Sequence, residues 1–93
     1  MPSIEDLPLM PGLSALRDED TVFVVPHGGR IAESAAIGAV DVDDVYLYYK
    51  RSLPQLGWKA SDARTYRRNG ERLNILARAN GKITTVQFSI KPE

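Results

Sequence analysis

Hydrophobic positions along the chain follow two rhythms, and each change of rhythm marks an element. Thr21-Val22-Phe23-Val24-Val25 is β-branched and aromatic, which predicts a short buried strand. Pro26-His27-Gly28-Gly29 reads as a turn. From Arg30 to Val40, the alternation of Ile31, Glu33, Ala35 and Ile37 predicts a second strand, and Gly38 argues against a helix there. The period then lengthens. Val42, Val45, Tyr46, Tyr49 and Leu53 recur every three to four residues and make one apolar helical face. Asp41 stands where an N-cap belongs, with Asp44 in the capping-box position. Acids at 41, 43 and 44 suit the positive end of the helix dipole, and Lys50 and Arg51 suit the other end. Pro54 is expected to stop the helix, and Gly57 to permit the turn into Trp58.

Period two then returns. Asn69-Gly70 and Asn80-Gly81 are hairpin dipeptides that supply the positive φ of a type I′ turn. If both turns are of that type, the register follows. Arg68 faces Glu71 and Tyr66 faces Leu73; Ala79 faces Lys82, so Leu73 faces Phe88, Ile75 faces Val86 and Glu71 faces Ile90. One face is then Tyr66, Leu73, Ile75, Ala77, Val86, Phe88 and Ile90, all apolar or aromatic. The other carries Thr65, Arg67, Arg72, Asn74, Arg78, Thr85, Gln87 and Ser89. On it Arg67 opposes Arg72, a like-charge pair that costs a few tenths of a kcal/mol unless something anionic lies between. The expected fold is a two-layer α+β domain, ββαβββ, with an antiparallel sheet of about five strands and one helix on one face.

Residues 1–20 are punctuated by Pro2, Pro8, Pro11 and Gly12 and end in Arg17-Asp18-Glu19-Asp20, so they are read as an N-terminal arm preceding a single domain over 21–93. Leu7, Leu9, Met10, Leu13 and Leu16 suggest that part of this arm packs as an extended or one-turn segment. Ninety-three residues leave no room for a second core. The absence of cysteine excludes disulfides, thiol catalysis and zinc–thiolate sites. No apolar run is long enough to span a membrane, and no signal-peptide pattern is present. Charge is segregated: residues 1–44 hold nine acids against two arginines, and residues 45–93 hold ten bases against three acids. Either the two halves neutralise each other inside the fold, or a basic face is offered to an anionic partner.

The helix-to-strand block Val45, Tyr48, Tyr49, Leu53, Pro54, Gly57, Trp58, followed by Tyr66, Gly70, Leu73 and the Val86–Ile90 run, resembles small bacterial α+β domain families of uncharacterised function. The resemblance covers roughly residues 21–92. It implies an exported or envelope-associated location, slightly favoured over the cytoplasm. It implies no catalytic residue, since every matching position reads as packing or turn chemistry.

The candidate chemistry is sparse. His27, the only histidine, lies in a His-Gly-Gly sequence like an esterase oxyanion loop, but the serine elbow such an enzyme needs is missing. An ordinary turn is favoured there, with anion binding by Gly28, Gly29 and Arg30 as the weaker reading. Asp41-Val42-Asp43-Asp44 fits a helix cap better than a calcium loop, because Tyr46 occupies the position that needs glycine. A carboxylate pair of Glu33 with Asp41 or Asp43 is a chance-level acid–base candidate. Tyr46 and Tyr48 diverge by about 200° on a helix, so one belongs at the rim, and Tyr48 is the more exposed choice. Arg67, Arg72 and Arg78, with Lys59 and Lys91 near them, outline a basic face without the exposed aromatics on which nucleic-acid-binding sheets stack bases. That disfavours nucleic acid. The expected function is a non-catalytic binding or accessory module, without metal or cofactor, presenting Arg67, Arg72, Arg78 and Tyr48, or a free sheet edge, to a protein or anionic surface. The alternatives are a small structural or oligomerising protein and, less favoured, an enzyme using His27 and Arg30.

Overall fold

A computed structural model describes residues 7–24 and 29–93. The architecture is α+β, with one helix on one side of an antiparallel sheet. The strands are β1 (Leu13–Val24), β2 (Arg30–Gly38), β3 (Lys59–Ala60), β4 (Thr65–Arg68), β5 (Glu71–Asn80) and β6 (Ile83–Pro92), and the helix α1 (Val42–Ser52) falls between β2 and β3. They order as β1-β2-β6-β5-β4-β3, so there are six strands rather than about five. The additional strand is the two-residue β3, too short to carry a hydrophobic rhythm of its own.

β1 begins at Leu13, well inside the segment expected to be an arm. A β-turn launches it: the Leu13 N–H donates to the Met10 carbonyl at 3.0 Å, and Gly12 takes φ +95°. Pro11-Gly12 is the pair a type II turn requires. The charged run 17–20 does not end the strand. It is absorbed where the register slips between Leu16 opposite Ala35 and Thr21 opposite Glu33, so that four β1 residues stand against Ser34 alone. Gly38 approaches this turn so closely that a Cβ on it would collide with the Gly12 carbonyl oxygen.

Asp41 occupies the N-cap position of α1 with extended backbone, but its side chain makes no capping hydrogen bond, so the expected capping box is not formed. The acids at 43 and 44 and the bases at 50 and 51 sit at the expected ends of the dipole. Pro54 does not end the winding outright. The chain continues as a 3-10 turn over Leu53–Leu56 and stops at Gly57, φ +90°, whose N–H donates to the Pro54 carbonyl.

Between β4 and β5 the expected register holds, with Arg68 opposite Glu71, Tyr66 opposite Leu73 and Arg67 opposite Arg72. Asn69 (φ 50°) and Gly70 (φ 77°) both take the left-handed conformation, as a type I′ turn demands. Between β5 and β6 the register differs from expectation by two residues: Asn80 opposes Ile83, so Leu73 faces Ile90, Ile75 faces Phe88 and Ala77 faces Val86. The cause lies in the turn. Gly81, φ +64°, takes its first central position and Lys82 the second, where φ is not positive, an arrangement that suits type II′ rather than I′. Because the shift is even, no side chain changes face.

The core lies between the sheet and α1. Val45, Tyr49, Leu53, Trp58, Tyr66, Leu73, Ile75, Val86, Phe88 and Ile90 are all at most 2% exposed. Tyr49 meets Phe88 edge-on at 5.2 Å. Its hydroxyl donates to the Pro8 carbonyl at 2.7 Å and accepts from the Met10 N–H at 3.3 Å, which ties residues 8–10 to the helix. Burial pushes the Tyr49 phenol well above its usual pKa, only partly offset by the Met10 hydrogen bond.

Candidate functional site: a cationic row and trough on the open sheet face

The face of the sheet opposite α1 has no covering element among the described residues, and the pairing determines what stands on it. Lys59 opposes Arg67, Arg67 opposes Arg72, and Arg72 opposes Lys91. Four cations from four consecutive strands therefore form one cross-strand row. With strands about 4.8 Å apart, the row is about 14 Å long. All four residues are exposed. Among the described residues one carboxylate answers them: Glu93 accepts from the Arg67 Nε at 2.8 Å. Neighbouring like charges in water repel by up to about 1 kcal/mol, less once screened. The row therefore has a modest cost in the free protein.

Arg78 does not join it. It lies six positions after Arg72 on β5, about 20 Å along an extended strand, and it stands instead in the row with Thr85 and Ile37. Tyr48 lies in the other layer, on α1, edge-on to Tyr49 at 5.0 Å and lining a hollow with Asp44, Leu47, Arg51, Ser52 and Gln55. It cannot share a surface with the arginines. Nor is it singled out as the more exposed tyrosine, since Tyr46 and Tyr48 are both half-buried. The Tyr46 hydroxyl accepts the Ala77 N–H at 2.9 Å, and the Arg64 guanidinium lies 5.5 Å from its ring centroid.

His27 and Gly28 lie outside the described residues, so the expected anion-binding turn is represented by Gly29 and Arg30. Arg30 is engaged elsewhere: its Nε donates to Glu71 at 2.9 Å, on the helix side of the sheet. Glu33 stands on the open face opposite Ser89, away from Asp41 and Asp43 in the loop and first turn before and within α1. Among the described residues, no group of three or more potential ligands could hold a metal ion. No described helix is long and apolar enough to cross a membrane.

Beside the cationic row, the open face becomes progressively less charged. One rung along, Thr65, Asn74, Ser89 and Glu33 align, and the Thr65 hydroxyl donates to Asn74 Oδ1 at 3.0 Å. The rung beyond is Leu76, Gln87, Ala35 and Leu16. Two hollows lie beside these rungs, of about 280 Å³ between β2, β6 and β5 and about 480 Å³ between β5 and the 62–65 segment, and both are lined by Asn74 and Leu76. Asp62 lines the second, its carboxylate held below the usual range chiefly by the Arg64 backbone N–H at 2.8 Å.

Two parts of this site escaped the sequence reading. The expected register put Ser89 beside Arg72, and only the two-residue shift brings Lys91 there. The less polar rung was signalled by residues that break the alternation, Leu76 after Ile75 in β5 and Ala35 beside Ala36 in β2, of which Leu76 is half-buried and Ala35 buried. Comparison with known proteins finds no matching family model, no matching curated protein and no matching solved structure.

Proposed function

We propose that this chain is a non-catalytic binding module that docks an anionic protein surface on the open face of its sheet. The observation that carries this reading is the row Lys59, Arg67, Arg72, Lys91, in which four strands each contribute one exposed cation to a single line. A like-charge line is retained at a cost in stability, and an anionic partner converts that cost into affinity and faster association. Arg30 supports the same choice of face, since its pairing with Glu71 takes it out of contention on the other side.

The test measures binding of a labelled poly-glutamate peptide to the wild type, to Arg67→Glu/Arg72→Glu and to Arg78→Glu, with folding checked by circular dichroism. Binding that weakens with salt, disappears in the double variant and survives in Arg78→Glu is expected. Equal binding by all three proteins removes the row from consideration.

A further inference from the structure

The outer edge of β5 is covered along only part of its length. β4 pairs with it as far as Asn74, and the Ile75 N–H donates to the Arg64 carbonyl at 2.8 Å. There the β3–β4 hairpin turns back on itself, closed by the Ser61 N–H on the Thr65 carbonyl at 2.8 Å. β5 runs on to Asn80, paired with β6 on its other side. Beyond the hairpin tip, residues 76–80 therefore have no strand on their outer side among the described residues. We infer that this notch takes an extended segment of a partner protein, added antiparallel to β5, with an acidic residue beside Arg78 and an apolar one beside Leu76. The site is separate from the cationic row and does not depend on it.

The backbone is the first argument. Peptide groups alternate sides along a strand, so those of Ala77 and Ala79 point outward as that of Ile75 does. Among the described residues, the Ala79 N–H and the carbonyls of Ala77 and Ala79 have no partner on that side. The Ala77 N–H has a stand-in: the Tyr46 hydroxyl accepts it at 2.9 Å, as the carbonyl of a neighbouring strand would. Tyr46 is half-buried, and its hydroxyl can withdraw where a strand's carbonyl takes its place. Alternate residues of an added strand present the N–H and carbonyl groups that these outward groups need.

Side chains are the second. In this register the residue opposite Arg78 lies on the open face in a non-hydrogen-bonded pair, where side chains approach most closely. Arg78 is exposed and has no ion pair among the described residues, so an acid suits that place. Opposite Leu76, a side chain enters the hollow of about 480 Å³ at the hairpin tip, where Ala63 and Leu76 offer apolar contact. Asp62 lines the same hollow and disfavours a second acid there. The residue between, opposite Ala77, falls on the helix side beside Tyr46 and must be small. A second copy of this chain fits worse. The pairing of two β5 edges that uses the whole notch has its two-fold axis at residue 78, which sets Arg78 against Arg78.

The experiment titrates threonine-rich peptides carrying an aspartate–glycine–leucine run into the isotope-labelled full chain, and follows its backbone amides by NMR. One peptide is unmodified. A second is N-methylated on the glycine, whose N–H would face Ala77, and a third on the aspartate, whose N–H would face solvent. Proteins compared are the wild type, Arg78→Glu and Arg67→Glu/Arg72→Glu. Shifts should concentrate at residues 76–80. Methylating the glycine should weaken binding roughly tenfold, whereas methylating the aspartate should change it by less than about twofold. Arg78→Glu should weaken binding about fivefold, and the double arginine variant should bind as the wild type does. Equal binding of the two methylated peptides, or no shift with any peptide, would overturn the added strand. Binding lost in the double arginine variant but kept in Arg78→Glu would overturn the notch and leave the cationic row standing. Amide shifts at 76–80 that move with protein concentration alone would put a second copy there and overturn the partner segment.

Discussion

Removing the Tyr49 hydroxyl should produce a stability loss that vanishes in alkali. Tyr49→Phe keeps the ring against Phe88 and Tyr48 and deletes only the oxygen that donates to the Pro8 carbonyl and accepts from the Met10 N–H. At about 1 kcal/mol net per hydrogen bond, the variant should be destabilised by about 1–2 kcal/mol at neutral pH. The pKa of folded Tyr49 is raised by burial, whereas the unfolded tyrosine ionises near its ordinary value of about 10. The stabilisation from this group is thus fully present below about pH 10 and declines above it by about 1.4 kcal/mol per pH unit, because only the unfolded chain releases the proton. Phenylalanine has no such proton. The gap between the two proteins should therefore hold steady from pH 7 to 9 and close near pH 11. Tyr66, whose pKa is also raised by burial, is present in both proteins and cancels from the difference. Urea unfolding followed by the fluorescence of Trp58, the only tryptophan and 2% exposed, reads the gap at each pH. A gap that keeps its neutral-pH size through pH 11, or no gap at pH 7, would refute the argument.

Other expectations address separate parts of the molecule. Gly38→Ala drives a Cβ into the Gly12 carbonyl and should cost about 1–3 kcal/mol; a urea midpoint within error of wild type would refute the close approach of β2 to the Met10–Leu13 turn. Gly70→Ala meets no neighbouring atom but must hold φ 77°, so about 1–2 kcal/mol is expected from backbone conformation alone. Arg72→Gln should raise stability by a few tenths of a kcal/mol at low salt, and the gain should disappear when salt screens the row; a salt-independent change would point to packing instead. Glu71→Gln should cost at most about 1 kcal/mol, since its pair with Arg30 is still partly exposed.

What was legible in the sequence was whatever one residue or one short turn decides. Asn69-Gly70 specified a turn that only one geometry satisfies, and the β4–β5 register followed without error. Asn80-Gly81 specified a turn but not which of its residues sits at the centre, and the register there slipped by two. The faces survived because side-chain direction has period two. The core was therefore readable, and the identity of cross-strand neighbours was not. That difference decided the candidate site: Arg67 beside Arg72 could be foreseen, whereas Lys59 and Lys91 fell into line only through β3 and the true β5–β6 pairing. β1 was shortened for a related reason. Prolines and the charged run 17–20 look like loop chemistry, and a bulge that swallows four residues has no local signature.

The sheet order has a consequence for how the molecule comes into being. β6 comes last in sequence among the described strands, yet it lies third in the sheet, between β2 and β5. Until it arrives there are two separate pieces, the β1–β2 hairpin and the β3–β4–β5 meander, each showing an apolar face to water. A growing polypeptide cannot complete its hydrophobic interior stepwise, and the two pieces must wait with unpaired edges for the strand that joins them. Folding should thus be a single late event of high contact order. Any delay in completing the chain prolongs the interval in which β2 and β5 can pair with strands of other molecules.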